Sequence, residues 1–189
     1  MNLPNSLTML RILLIPFFLV ILLGNIVEDP LAKYIAVGIF SAASLTDFFD
    51  GFIARKYNLS TNFGVFADPM ADKLLVCSAL IAMLDKALIP GWVVIIIISR
   101  EFIISGFRIL AAEQGVVLAA SYWGKLKTVS QMLMIIFVLL NFDNDILKMF
   151  SFLLVYLSAG LTIVSAFDYI IKNAGVLSDK PKSKENANE

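Results

Sequence analysis

Residues 47–72 read DFFDGFIARKYNLSTNFGVFADPMAD, and four carboxylates, Asp47, Asp50, Asp68 and Asp72, stand in this stretch between long apolar runs. An ionised Asp near the middle of a membrane helix costs about 2.5–3.5 kcal/mol on insertion scales, so four unpaired ones would cost roughly 10 kcal/mol. They need a compensating partner. Asp47, Asp50 and Ala54 are spaced i, i+3, i+7 and share one face of a helix. Asp68 and Asp72, spaced i, i+4, share a face of the next. Asp68 followed by Pro69 reads as a helix start, with Asp as the cap and Pro in the first turn. The two helices are then joined by a loop of about a dozen residues that contains Gly64, short enough to set them side by side. Each presents a pair of carboxylates. Hard divalent cations such as Mg²⁺ or Mn²⁺ are the partners that carboxylates select. Four carboxylates suffice for two bridged ions, and two-ion sites clamp the attacking and leaving oxygens in displacements at phosphorus.

The rest of the chain sets that stretch in a membrane. Of its 189 residues 59% are hydrophobic, and the mean hydropathy is +0.86, well beyond a soluble domain. The expectation is an all-α, polytopic membrane protein forming one domain over residues 1–173. Six apolar segments are expected to span: about Leu7 to Leu23, with Pro16 as a kink; Lys33 to Ala54; Asp68 to Leu84; Pro90 to Ala112; Lys125 to Asn141; and Ile146 to Lys172. Residues 174–189 form a polar tail, expected to be disordered and cytoplasmic. The first segment has a nearly uncharged start, and Arg11 interrupts it, so it reads as a retained helix and not as a cleaved signal. Asn5 is its expected cap. With six spans both termini lie on one side. That side carries eleven Lys and Arg (Arg11, Arg55, Lys56, Arg100, Arg108, Lys125, Lys127, Lys172, Lys180, Lys182, Lys184) against three (Lys33, Lys86, Lys148) on the other. The positive-inside rule makes it the cytoplasmic side and puts the carboxylates there.

The chain has no histidine, which excludes a histidine nucleophile, base or metal ligand. Its single Cys77 cannot form an internal disulfide, and it sits in an apolar run as a buried, inert thiol. Any metal site must use oxygen ligands, and a carboxylate is the best available general base. Gly51, directly after Asp50, fits either close helix packing or the approach of a bulky phosphate. Gly64 reads as a turn residue. Arg55 stands at the mouth of the site, where it can pair a phosphate.

At this point the chain resembles a family. The pattern D-x2-D-G-x2-A-R-x8-G-x3-D-x3-D is the signature of the CDP-alcohol phosphatidyltransferases, and Asp47, Asp50, Gly51, Ala54, Arg55, Gly64, Asp68 and Asp72 fill it without departure. The resemblance implies six membrane helices and transfer of a phosphatidyl group from CDP-diacylglycerol to an alcohol, with release of CMP. It implies that Asp47, Asp50 and Asp68 hold metal, and that Asp72 both faces the metal and acts as the base. It also implies a homodimer. The nucleotide-lipid is expected against Thr8, Arg11, Asp50, Gly51, Ala54, Arg55 and Gly64.

The signature does not name the alcohol. NLPNSLTMLRILLIPFF at the start, ISREFIISGFRILAAEQGV and WGKLKT look like the corresponding segments of bacterial phosphatidylglycerophosphate synthases, which implies a bacterial cytoplasmic membrane and glycerol 3-phosphate as acceptor. Arg100 and Arg108, eight apart on one helix, lie roughly on one face, and Lys125 and Lys127 open the next helix. Such a cluster suits an acceptor phosphate, although Glu101 and Glu113 are placed to pair some of these charges. Other acceptors (phosphatidylglycerol, serine, a phosphoinositol) are the alternatives within the family, and serine gives no reason for the basic cluster. A cation or proton transporter is the alternative from another class, but its acids would be spread over the membrane depth. No nucleic-acid partner is expected.

Overall fold

The computed structural model describes residues 3–24, 26–57, 62–116, 118–119 and 121–177, apart from the side chains of 3–4, 30, 47–57, 62–63, 65–66 and 176–177. These residues form six helices: α1 (Leu3–Leu23), α2 (Asp29–Tyr57), α3 (Asn62–Asp85), α4 (Gly91–Glu113), α5 (Tyr122–Leu140) and α6 (Asp145–Lys172). A 3-10 turn, Ala174–Leu177, follows α6. No strand occurs among the described residues. The expected disordered tail lies, from residue 178 on, outside the described residues.

Every apolar segment expected from the sequence forms a helix. Three of them, Asn5–Leu23, Tyr122–Leu140 and Asp145–Lys172, are long and apolar enough to cross a membrane on length and composition alone. α3 and α4 fall short of that measure for a physical reason. Every 18-residue stretch of α3 contains Asp68, Asp72 and Lys73, and every such stretch of α4 contains Arg100, Glu101 and Arg108. These helices carry the charges of the site.

Local chemistry sets the helix ends. Gly24 ends α1, and a Cβ there would stand 2.4 Å from the Val20 carbonyl oxygen. α4 closes on Gly115 at φ 74°, with Val116 N–H reaching back to the Ala111 carbonyl at 2.8 Å, the bond of a left-handed cap. Asn141, at φ 41°, closes α5. Ser121 caps α5 by accepting from Gly124 N–H, and Asn144 caps α6 by accepting from Ile146 N–H.

Four local expectations are corrected. α3 begins at Asn62, so Asp68 is not its cap and Pro69 lies inside the helix. Gly64 lies in α3 as well, and the expected long loop shrinks to 58–61, outside the described residues. Asn5 lies inside α1 and is buried. Asn5 in α1, and Gly64 and Ala67 ahead of Asp68 in α3, are buried, and burial against neighbours outweighs the local cap signal. Cys77 is half-buried, since α3 turns that side only partly inward.

The interior is graded from one end of the bundle to the other. α1 packs on α2 and α3, α4 on α6, and α5 on α6. At one end the core is apolar: Phe18 and Leu22 of α1, Ala79 and Met83 of α3, Val93 and Ile97 of α4, Ile135 and Leu139 of α5, Leu154 and Val155 of α6. At the other end the same stripes turn polar. α1 buries Asn5, Thr8 and Arg11, α5 buries Lys127, Ser130 and Gln131, and α6 buries Ser158, Thr162 and Ser165. Because the helices alternate in direction, the polar halves of α1, α3, α4, α5 and α6 fall at the same end.

Close packing of α1 on α2 positions this end. Ala36, Phe40 and Ala43 of α2 are fully buried, and Phe40 meets Phe18 of α1 with ring centroids 6.4 Å apart. Arg11 is fully buried and its Nε donates to the Ala43 carbonyl at 3.2 Å. Ala43→Leu should therefore destabilise the detergent-solubilised protein by about 1–3 kcal/mol through overpacking. Leu45→Ala, at an exposed position, should change stability by less than about 0.5 kcal/mol. Thermal melts of the two variants check this; equal shifts would contradict the packing described.

Candidate active site

α3 brings two of the four aspartates to the polar end. Asp68 is half-buried, and its Oδ1 accepts a hydrogen bond from the Thr8 hydroxyl, which ties α3 to α1. Asp72, one turn further on, lines a cavity of about 250 Å³. Asp47, Asp50, Gly51, Ala54 and Arg55 lie in the last turns of α2, and their side chains are outside the described residues. Among the described residues no three metal-ligating side chains converge. Asp68 and Asp72 are the described half of the expected quartet. Their oxygen donors, on one helical face, suit a hard divalent cation.

The cavity joins Asp72 to the basic cluster. Its walls include Lys73 of α3, Arg100, Glu101 and Arg108 of α4, Lys125 of α5 and Tyr169 of α6. The four cations expected to form an anion site divide into two kinds. Lys127 is buried (3% exposed) and its Nζ donates to Glu101 Oε1. Arg100 donates through Nη1 to the same oxygen at 3.1 Å and through Nη2 to Ser165 Oγ at 2.8 Å. Glu101 thus holds two of the cations, as its position beside Arg100 suggested. Lys127 does not line the large cavity.

The other two remain available. Lys125 makes no side-chain hydrogen bond or ion pair with the described residues, and the one hydrogen bond of Arg108 with them is from Nε to Tyr169 Oη at 3.2 Å. Lys73, likewise uncommitted among the described residues, joins them on the cavity wall. Sequence reasoning passed over Lys73, although its place next to Asp72 was the signal. It also passed over Ser165 and Tyr169, whose i, i+4 spacing on α6 carried no motif. Thr8 and Arg11, expected near the nucleotide, contact α3 and α2 respectively.

A carboxylate facing a cavity walled by cations that are uncommitted among the described residues, in a bundle with three helices long and apolar enough to cross a membrane, suits an anionic ligand. A sequence model of the CDP-alcohol phosphatidyltransferase family matches residues 1–164. The chain belongs to this family; it is a membrane-embedded phosphatidyltransferase. Among its relatives is the CDP-diacylglycerol–glycerol-3-phosphate 3-phosphatidyltransferase of Bacillus subtilis (strain 168), 43% identical over 183 residues, covering 91% of this chain and 95% of that protein. The protein of the same name from Rickettsia bellii (strain RML369-C) is 42% identical over 171 residues, covering 89% and 93%. A probable phosphatidylglycerophosphate synthase of Mycobacterium tuberculosis (strain ATCC 25618 / H37Rv) is 36% identical over 171 residues, covering 90% and 81%.

The division of the cations has a measurable consequence. Lys127→Met leaves Glu101 short of a buried partner and should cost about 3 kcal/mol. Lys125→Met, at a side chain with no such pairing, should cost less than about 1 kcal/mol. Adding Glu101→Gln to Lys127→Met should recover part of the loss. Thermal melts decide; equal destabilisation by the two lysine variants would show that Lys127 is not held by Glu101.

Proposed function

We propose that the protein makes phosphatidylglycerophosphate and CMP from CDP-diacylglycerol and glycerol 3-phosphate. One observation carries the choice of acceptor: the uncommitted Lys73, Arg108 and Lys125 share a single cavity with Asp72. A phosphorylated polyol bound there has its phosphate against the cations and a hydroxyl toward the carboxylate. Serine has no group that needs three cations. The names of the relatives point the same way.

In this reading the acceptor oxygen attacks the lipid-bearing phosphorus, its proton passes to Asp72, and the bond from that phosphorus to the CMP oxygen breaks. Arg108 and Lys125 orient the acceptor, with Arg100 set behind them by Glu101 and Ser165. Thr8 fixes the direction of the Asp68 carboxylate. Asp47, Asp50, Asp68 and Asp72 would hold one or two divalent cations, Mg²⁺ or Mn²⁺. When bound, these would neutralise the diphosphate and the departing CMP. Gly51, Ala54, Arg55 and Gly64, with Thr8 and Arg11, are proposed to border the nucleotide-lipid. The active end faces the cytoplasm of a bacterial cell membrane, where the sequence puts most of its Lys and Arg, and the protein works as a homodimer.

Purified protein supplied with CDP-diacylglycerol and Mg²⁺ or Mn²⁺ should release CMP with glycerol 3-phosphate, and much more slowly with serine or phosphatidylglycerol. CMP release with serine alone would overturn the acceptor. Asp72→Asn should lower turnover on the order of 10²–10⁴-fold, the range for loss of a general base, while CDP-diacylglycerol still binds. Turnover close to wild type in that variant would remove Asp72 as the base.

A further inference from the structure

We infer that Tyr169 is an acceptor-binding residue, donating its hydroxyl hydrogen to the anionic group that Arg108 attracts. The inference rests on the proposed anionic acceptor and adds a ligand from α6, the helix without a signature. Tyr169 is almost wholly buried (2% exposed), yet it lines the 250 Å³ cavity. The Arg108 guanidinium carbon lies 5.8 Å from the centroid of its ring, and Arg108 Nε donates to its Oη at 3.2 Å.

A phenol oxygen that accepts this bond still carries one hydrogen to donate. No acceptor for that hydrogen occurs among the described residues. The neighbouring carboxylate does not take it: Asp168 Oδ1 pairs with Lys172 at 2.6 Å, one turn along α6, and its Oδ2 accepts no hydrogen bond from the described residues. A buried hydroxyl with an unused donor is unfavourable unless a partner arrives. The cavity supplies the room, and Arg108, with both terminal nitrogens uncommitted among the described residues, brings a negatively charged oxygen to it. The bond Arg108 makes with Oη also polarises the hydroxyl and strengthens it as a donor. Tyr169 and Arg108 together then present donors to one phosphate.

Tyr169→Phe keeps the ring beside Arg108 and removes only the hydroxyl. Loss of one hydrogen bond to a charged oxygen should raise the glycerol 3-phosphate KM about tenfold. kcat and the CDP-diacylglycerol KM should stay within about twofold, since the contact is to a part of the acceptor that does not react. In an Arg108→Lys background the same substitution should still raise KM several-fold, because the hydroxyl touches the phosphate itself. An effect that vanishes there would reduce Tyr169 to a support for Arg108 and overturn the inference, as would an unchanged KM in the single variant. Should the Phe variant accumulate poorly, Tyr169→Leu is read by the same split between KM and kcat. If wild-type protein instead uses an uncharged acceptor, the acceptor reading fails first, and that outcome is distinct from a wild type that needs glycerol 3-phosphate and a variant that does not notice the hydroxyl.

Discussion

The polar end of the bundle depends on one constraint: a charge fully buried among helices needs an opposite charge beside it. Three helices, α1, α5 and α6, turn their buried stripes from apolar to polar at the same end, where α3 and α4 add the half-buried charges Asp68, Asp72, Arg100 and Glu101. The apolar end holds the helices together, and the polar end is where the interior stops being a hydrocarbon. Glu101 is the main anchor, since its one oxygen receives both Lys127 and Arg100. Without it, two cations on adjacent helices would repel across a buried boundary. With it, an ion pair joins α4 to α5, and Arg108, Lys125 and Lys73 line the cavity.

The constraint separates charges paired inside the bundle from charges that line the cavity without a partner among the described residues. Lys127 and Arg100 are committed to Glu101 and Ser165, whereas Arg108, Lys125 and Lys73 border empty space beside Asp72. A similar tie on the other side, Thr8 to Asp68, fixes one carboxylate of the proposed metal set to the first helix. The bundle can thus carry opposite charges a short distance apart without collapsing them onto each other. In the proposed function, that separation would let a phosphate and a hydroxyl of one acceptor be recognised at once.

The fold class and the helical spacing of the candidate-site residues were legible because they depend on spacing along single helices. Asp68 and Asp72 one turn apart, and Arg100 and Arg108 two turns apart, follow directly from helical periodicity. The family signature lay in fixed gaps of the same kind. What stayed hidden depends on how helices meet. Lys127 resembled Lys125 in the sequence, and only the three-dimensional structure shows that one is buried against Glu101 while the other makes no ion pair with the described residues. Ser165 and Tyr169 belong to a stripe that looks like any apolar span. The start of α3 was misread because Asp68-Pro69 is a good local cap signal, whereas the helix already runs from Asn62, with Gly64 and Ala67 buried.

The central claim is that carboxylate and anion sites share one cavity at the polar end. Crystals grown with Mn²⁺ and glycerol 3-phosphate test it most directly, by anomalous scattering from the metal and difference density for the phosphate. The account predicts metal peaks at Asp68 and Asp72, with phosphate density between Arg108 and Lys125 in the same cavity. Phosphate density seated on Lys127, or at the opposite end of the bundle from the metal, would contradict it.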